Sequence, residues 1–241
     1  MQFGTVTLNV ITVFLILYII NSGSSSADTK EFMNVSKNYL GNNQRLAGEN
    51  LNTNQGTFSD LQIIFCNANN NPCNGTNDLD YMSGDNGNNM IVGMNGNDNI
   101  TSNGGDDEIW ANEGKDIVGA GNGNDLLIGG DGDDVLYGEF NNDVILGGKG
   151  NDYLYGGPES WSDSDDIIAG GPGMDTIFGG DGNDKIYQNN EQPYSNSVKD
   201  GYKDRINCGS GNDEVWINVD DKDYAIYCEK IHKSTTMSKQ P

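Results

Sequence analysis

GGDGDDVLYGEFNNDVILGGKGNDYLY, residues 129–155, is one nine-residue unit written three times. Its carboxylates Asp134, Asp143 and Asp152 stand nine apart, and two residues after each comes an aliphatic side chain: Leu136, Ile145 and Leu154. Outward from this stretch the ladder runs back through Asp125, Asp116, Asp107, Asp98, Asn89 and Asp80. It resumes at Asp166, Asp175 and Asp184, then at Asp204 and Asp213. An aliphatic residue or Met follows two places after every rung, from Met82 to Val215. A disordered Gly/Asn/Asp tract has no reason to keep an apolar residue in step with a carboxylate, so the period itself predicts a folded repeat.

The clean units, such as GGDGDDVLY (129–137), GGKGNDYLY (147–155) and GGDGNDKIY (179–187), divide in two. Six residues rich in glycine end in Asp, and a β-prone triplet follows. Glycine permits positive φ and a close approach of backbones, as a tight loop with inward carbonyls requires. In the triplet the side chains alternate, so its central residue points inward and its neighbours outward. Two units make one coil, and each loop lies over the loop eighteen residues on. Asp98, Asp116, Asp134 and Asp152 then line one edge, and Asp107, Asp125 and Asp143 the other. Strands in such a stack pair ~4.8 Å apart, and carboxylates at that spacing repel unless a cation lies between them. Calcium takes six to eight oxygens from carboxylates and carbonyls alike, which is what a glycine loop ending in Asp presents.

The unit G-G-x-G-x-D-x-U-x resembles the nonapeptide repeat of the RTX, or haemolysin-type, calcium-binding proteins. The resemblance covers residues 75–216. It implies an all-β fold, a parallel β-roll (a right-handed, β-helix-like solenoid), and several Ca2+ ions. The residues it marks as metal ligands are Asp80, Asp98, Asp107, Asp116, Asp125, Asp134, Asp143, Asp152, Asp166, Asp175, Asp184, Asp204 and Asp213, together with loop carbonyls. Departures fall at Asn89, at Asp78, Glu139 and Asn141 in place of loop glycines, and at Ser164 and Tyr202 beside two insertions. They mark the loops ending at Asp80, Asn89, Asp143, Asp166 and Asp204 as the irregular ones.

The ends read differently. Residues 10–20, VITVFLILYII, followed by small residues up to Ala27, predict a secretory signal over 1–27, with an uncleaved anchor as the competing reading. Residues 28–57 are a polar linker. Residues 58–74 are an N-terminal cap, in which FSDLQIIF (58–65) packs on the first repeat and partly covers its outer face. Residues 217–232 form a C-terminal cap and 233–241 a disordered tail. Cys66, Cys73, Cys208 and Cys228 bracket the array. Of three possible connectivities, the array holds all but Cys66–Cys73 with Cys208–Cys228 far apart, so disulfide-stapled ends are expected.

The chain carries 36 acidic and 13 basic residues, a formal charge of -23. Within 75–187 the basic residues are Lys115, Lys149 and Lys185 alone. This excludes a nucleic-acid surface, which must be basic, and makes a compact body self-repelling without cations. No G-x-S-x-G, H-E-x-x-H or phosphate loop is present, and His232 is the single histidine. The expected function is therefore a secreted, non-catalytic calcium-binding protein that folds on binding, with no membrane span in the mature chain if the signal is cleaved. The alternative is an adhesion or glycan-binding module on the cell surface. Its features are an apolar outer stripe (Met90, Val92, Trp110, Leu126, Ile128, Val144, Leu146), the tyrosines Tyr137 and Tyr155, and Trp161 in the first insertion.

Overall fold

The computed structural model describes residues 62–67, 71–158, 164–189, 201–218 and 223–234. The signal, the linker, Trp161 and the extreme C-terminus lie outside these residues. All of the described residues belong to one compact unit, Asp60–Pro241.

Among them every regular element is a strand. One parallel sheet is ordered β1 (Gln62–Phe65), β3 (Asp80–Ser83), β5 (Asn99–Gly104), β7 (Ile117–Asn122), β9 (Val135–Phe140), β11 (Tyr153–Tyr155), β13 (Thr176–Asp181), β15 (Arg205–Ser210), β17 (Tyr224–Ile226). The other contains β2 (Cys73–Asn74), β4 (Met90–Asn95), β6 (Glu108–Glu113), β8 (Leu126–Asp131), β10 (Val144–Lys149), β12 (Ile167–Ala169), β14 (Lys185–Tyr187), β16 (Glu214–Asn218) and β18 (Lys230–Ser234). The chain alternates between the two sheets, so each strand pairs with the strand two steps on. This is the parallel β-solenoid that the period predicts.

Both insertions are accommodated without a slip. Val144 pairs with Leu126 on one side and with Ile167 on the other, across the first insertion. Thr176 pairs with Arg205 across the second. A slip of one residue would turn every core side chain outward; the strands that flank each insertion keep the core row in register.

The strands are longer than the expected triplets. In β8 and β10 pairing continues through Gly148 with Gly130 and Lys149 with Asp131. Stacked loops of one conformation let their backbones go on pairing past the triplet. The alternation therefore gains a second inward place at the first residue of the unit. There the small residues Ala111, Ala120, Ser102 and Cys208 are buried beside the aliphatic row Ile91, Ile100, Ile109, Leu127, Leu136, Ile145, Leu154, Ile168, Ile177 and Ile186.

Residues 62–65 pair edge-on with β3, Ile64 opposite Met82. They extend the odd-numbered sheet, whereas the outer stripe lies on the even-numbered one; residues 58–61 of the expected cap lie outside the described residues. The disulfides are Cys66–Cys73 and Cys208–Cys228. Tyr137 and Tyr155 are cross-strand neighbours, with ring centroids 6.1 Å apart in an edge-on contact.

Ile145 is 0% exposed between Leu127 and Ile168, so its truncation leaves a void that the neighbouring coils cannot fill. In saturating calcium Ile145→Ala is expected to cost about 2–5 kcal/mol and Ile145→Val about 1 kcal/mol. Denaturant unfolding followed by circular dichroism measures both.

Candidate metal centre

Each rung of the ladder is held by its backbone. The Asp98 N–H donates to Asp116 Oδ1 at 2.7 Å, Asp116 to Asp134 at 2.9 Å, and Asp134 to Asp152 at 2.9 Å. Along the same edge Asp152 donates to Asp175 and Asp175 to Asp204, the latter across 29 residues. The opposite edge repeats this through Asp107, Asp125, Asp143, Asp166, Asp184 and Asp213. The two edges thus contain the carboxylates read from the sequence, sorted as the eighteen-residue coil requires. One oxygen of each is already committed to the rung before it, a role the spacing did not reveal.

The second oxygen is where the chemistry lies. Oδ2 of Asp98, Asp107, Asp116, Asp125, Asp134, Asp143, Asp152, Asp166, Asp184 and Asp213 is buried and accepts no hydrogen bond. These residues are at most 3% exposed. Unpaired buried polar atoms are rare in folded proteins, and a row of anionic ones calls for a counter-charge. The loops are built to bring other oxygens close. A Cβ on Gly129 would lie 2.5 Å from Asp134 Oδ2 and would also meet the Gly147 carbonyl oxygen of the next coil. A Cβ on Gly93 would lie 2.7 Å from Asp98 Oδ2 and 2.6 Å from the Ala111 carbonyl oxygen. Gly132 has φ +153, and a methyl group there would overlap the Gly114 carbonyl. Glycine at these places lets carboxylate and carbonyl oxygens of successive coils converge.

Among the described residues no three His, Cys, Asp or Glu side chains form a metal-binding group. An ion held here must draw on backbone carbonyls as well as on the ladder. An all-oxygen, anionic, carbonyl-rich donor set suits a hard cation of the calcium type and not zinc, which favours nitrogen and sulfur.

The irregular loops separate into two kinds. Glu139 and Asn141 take φ +78 and +77, so the glycine-like turn survives with side chains in it. Asp143 keeps its rung bonds. Ser164 donates its hydroxyl to the Asn141 carbonyl, and Asp166 stays in register. The first rungs are different. Asp80 Oδ2 accepts from the Thr76 N–H at 2.6 Å and from its hydroxyl at 3.0 Å. Asn89 closes on Asp85, accepting from its N–H and donating to its carboxylate.

Three features escaped the sequence reading. Asx residues one place before the ladder form an outer ladder of opposite polarity: the Asn124 N–H donates back to Asp106, Asn151 to Asp133, and Asn183 to Asp165. The recurrence of Asn or Asp at that place was the available signal. Asp223 and Glu229 add a further rung to each edge, accepting from the Asp204 and Asp213 N–H groups. Their separations of 19 and 16 residues break the period.

A parallel β-roll with two buried, half-used carboxylate edges defines the class: a β-solenoid whose oxygen-rich edges suit a calcium-type cation. Residues 83–118, 92–127, 119–154 and 162–187 match the family model for the RTX calcium-binding nonapeptide repeat, so the chain carries RTX repeats across 83–187. No curated protein matches the chain.

Burial raises these carboxyls, and the hydrogen bond from the preceding rung only partly offsets it. Asp98, Asp125, Asp134 and Asp166 are pushed up to about 7, Asp184 to about 8 and Asp143 to about 9. Exposed Asp133, bonded to Lys115, is instead held below the usual range. The folded, ion-free roll therefore binds more protons than the unfolded chain. Its stability is greatest below about pH 4 and falls as pH rises from there through 7–9. Calcium needs the deprotonated ligands, so its affinity runs the other way. In chelator more β-sheet circular dichroism signal is expected at pH 5 than at pH 8, where the ion-free roll unfolds, and in excess calcium the melting temperature is instead higher at pH 8. Thermal melts followed by circular dichroism at the two pH values provide the check.

Proposed function

We propose that the protein is a secreted, non-catalytic calcium-binding protein whose roll orders when its loops take up several Ca2+ ions outside the cell. The observation that carries this reading is the row of buried Oδ2 atoms with no hydrogen-bond partner in Asp98, Asp107, Asp116, Asp125, Asp134, Asp143, Asp152, Asp166, Asp184 and Asp213. Supporting it are the RTX repeat matches, the two disulfides, which suit an oxidising compartment, and the apolar run at residues 10–20. Ladder residues supply the anionic oxygens, the glycines let loop carbonyls approach, and the aliphatic row aligns successive coils. An unfolded chain contains no such site, so binding free energy is folding free energy. Affinities on the order of 10⁻⁴–10⁻³ M per site, the range of extracellular calcium modules, are expected. Chelation should abolish the β-sheet circular dichroism spectrum and added calcium restore it, with several ions per chain by equilibrium dialysis. A spectrum indifferent to chelator, or dialysis that finds no calcium, contradicts the reading.

A second reading, a surface adhesion or glycan-binding module with the roll as scaffold, is favoured by one observation. Tyr137, Tyr153, Tyr155 and Phe178 gather on the outer face of the odd-numbered sheet, with neighbouring ring centroids 5.4–6.3 Å apart. Tyr153 is 38% exposed. Aromatic rings with an exposed face can pack on the apolar side of a sugar. In calcium, polysaccharide binding on a glycan array should drop at least tenfold in Tyr153→Ala; an array blank with the unaltered protein argues against this reading.

A further inference from the structure

The nonapeptide pattern ends at Asp213, yet the edge on which Asp213 lies does not. The Asp213 N–H donates to Glu229 Oε2 at 2.9 Å, and the Lys230 N–H donates to the Asp213 carbonyl at 3.0 Å. The preceding rung makes the same pair of bonds: Asp184 N–H to Asp213 Oδ1 at 2.9 Å, and Glu214 N–H to the Asp184 carbonyl at 2.8 Å. Glu229 thus occupies a rung without belonging to the repeat. Between Ile226 and Glu229 stand only Tyr227 and Cys228 where a regular unit has five residues. The extra methylene of Glu over Asp compensates part of that shortened path.

We propose that Glu229 is a calcium ligand, closing this edge with a terminal ion held between it and loop 208–213, and that the Cys208–Cys228 bridge keeps it in place. The proposal rests on the calcium reading above. Asp213 is 0% exposed, and its Oδ2 accepts no hydrogen bond. The loop below keeps the turn of its clean counterparts, with Gly209 at φ +104 and Gly211 at +155. The nearby basic side chains are engaged elsewhere: Lys230 Nζ lies 2.9 Å from Glu214 Oε1, and His232 Nε2 lies 3.0 Å from Glu214 Oε2. Cys208 opens the loop, and Cys228 directly precedes Glu229, so the bridge joins the two sides of the site. The other end of this edge is built differently. Asn89 closes on Asp85 through its neutral amide. The edge is therefore sealed at its N-terminal end and left anionic at its C-terminal end.

The test uses the full chain and counts calcium by equilibrium dialysis with atomic emission, alongside circular dichroism in saturating calcium. Glu229→Gln keeps an acceptor for the Asp213 N–H and removes only the charge. It is expected to bind one ion fewer than the unaltered protein with the β-sheet spectrum retained. A Cys208→Ser, Cys228→Ser double variant is expected to lose the same ion. Glu229→Asp, which keeps the charge, should retain that ion at roughly tenfold weaker affinity. An unchanged count in Glu229→Gln, or equal loss in the Gln and Asp variants, makes Glu229 a hydrogen-bonding cap only and overturns the proposal. Failure of the unaltered protein to bind calcium at all overturns the underlying reading instead.

Discussion

The constraint on which the rest of this structure depends is the burial of a carboxylate at nearly every ninth residue. Each accepts one backbone hydrogen bond from the coil before it. In Asp98, Asp107, Asp116, Asp125, Asp134, Asp143, Asp152, Asp166, Asp184 and Asp213 the other oxygen lies in the interior of the stack with no donor. Leaving a carboxylate ionised and uncompensated in such a place costs several kcal/mol. The chain must therefore either protonate the ladder or neutralise it with a cation. The upward displacement of these carboxyls expresses the first route and the all-oxygen loops the second. At neutral pH the two compete for the same atoms, so calcium level and pH act on one equilibrium.

The remaining architecture follows from keeping that ladder in step. The aliphatic row supplies a core one side chain wide, with small residues filling the place beside it. Such a core resists slippage more than it adds stability, because any shift turns the whole row outward. Contacts run only between neighbouring coils, and a solenoid of this kind is as secure as its ends. Those ends carry the two disulfides. They are also where the chain departs from its repeat: Thr76 and Asp85 close the first rungs, and Asp223 and Glu229 extend the last.

Most of the fold was legible because a nine-residue period leaves few solutions. The two-sheet coil, the sorting of the carboxylates onto two edges and the disulfide pairing all follow from spacing. The strand lengths did not, because pairing through the glycine segments depends on neighbouring loops adopting the same conformation. The loop around Glu139 and Asn141 read as damaged, yet both residues adopt positive φ near 78° and hold the turn. Conversely, Asp80 carries the expected residue type but is bonded locally by Thr76. Residue identity reports what a position can donate or accept; its neighbours decide which bonds are already taken.

By itself the sequence determined the repeat, the inward aliphatic row and the density of negative charge, since these are properties of residue type at fixed spacing. Only the tertiary structure decided which oxygen of each carboxylate is spent on the backbone and which remains for an ion. It also decided that the insertions leave the register intact, and that Asp223 and Glu229 continue the edges beyond the period. The physical reason is that a hydrogen bond or an ion site needs atoms from two coils at once. Those atoms are brought together across 16 to 29 residues by stacking, which no single unit encodes.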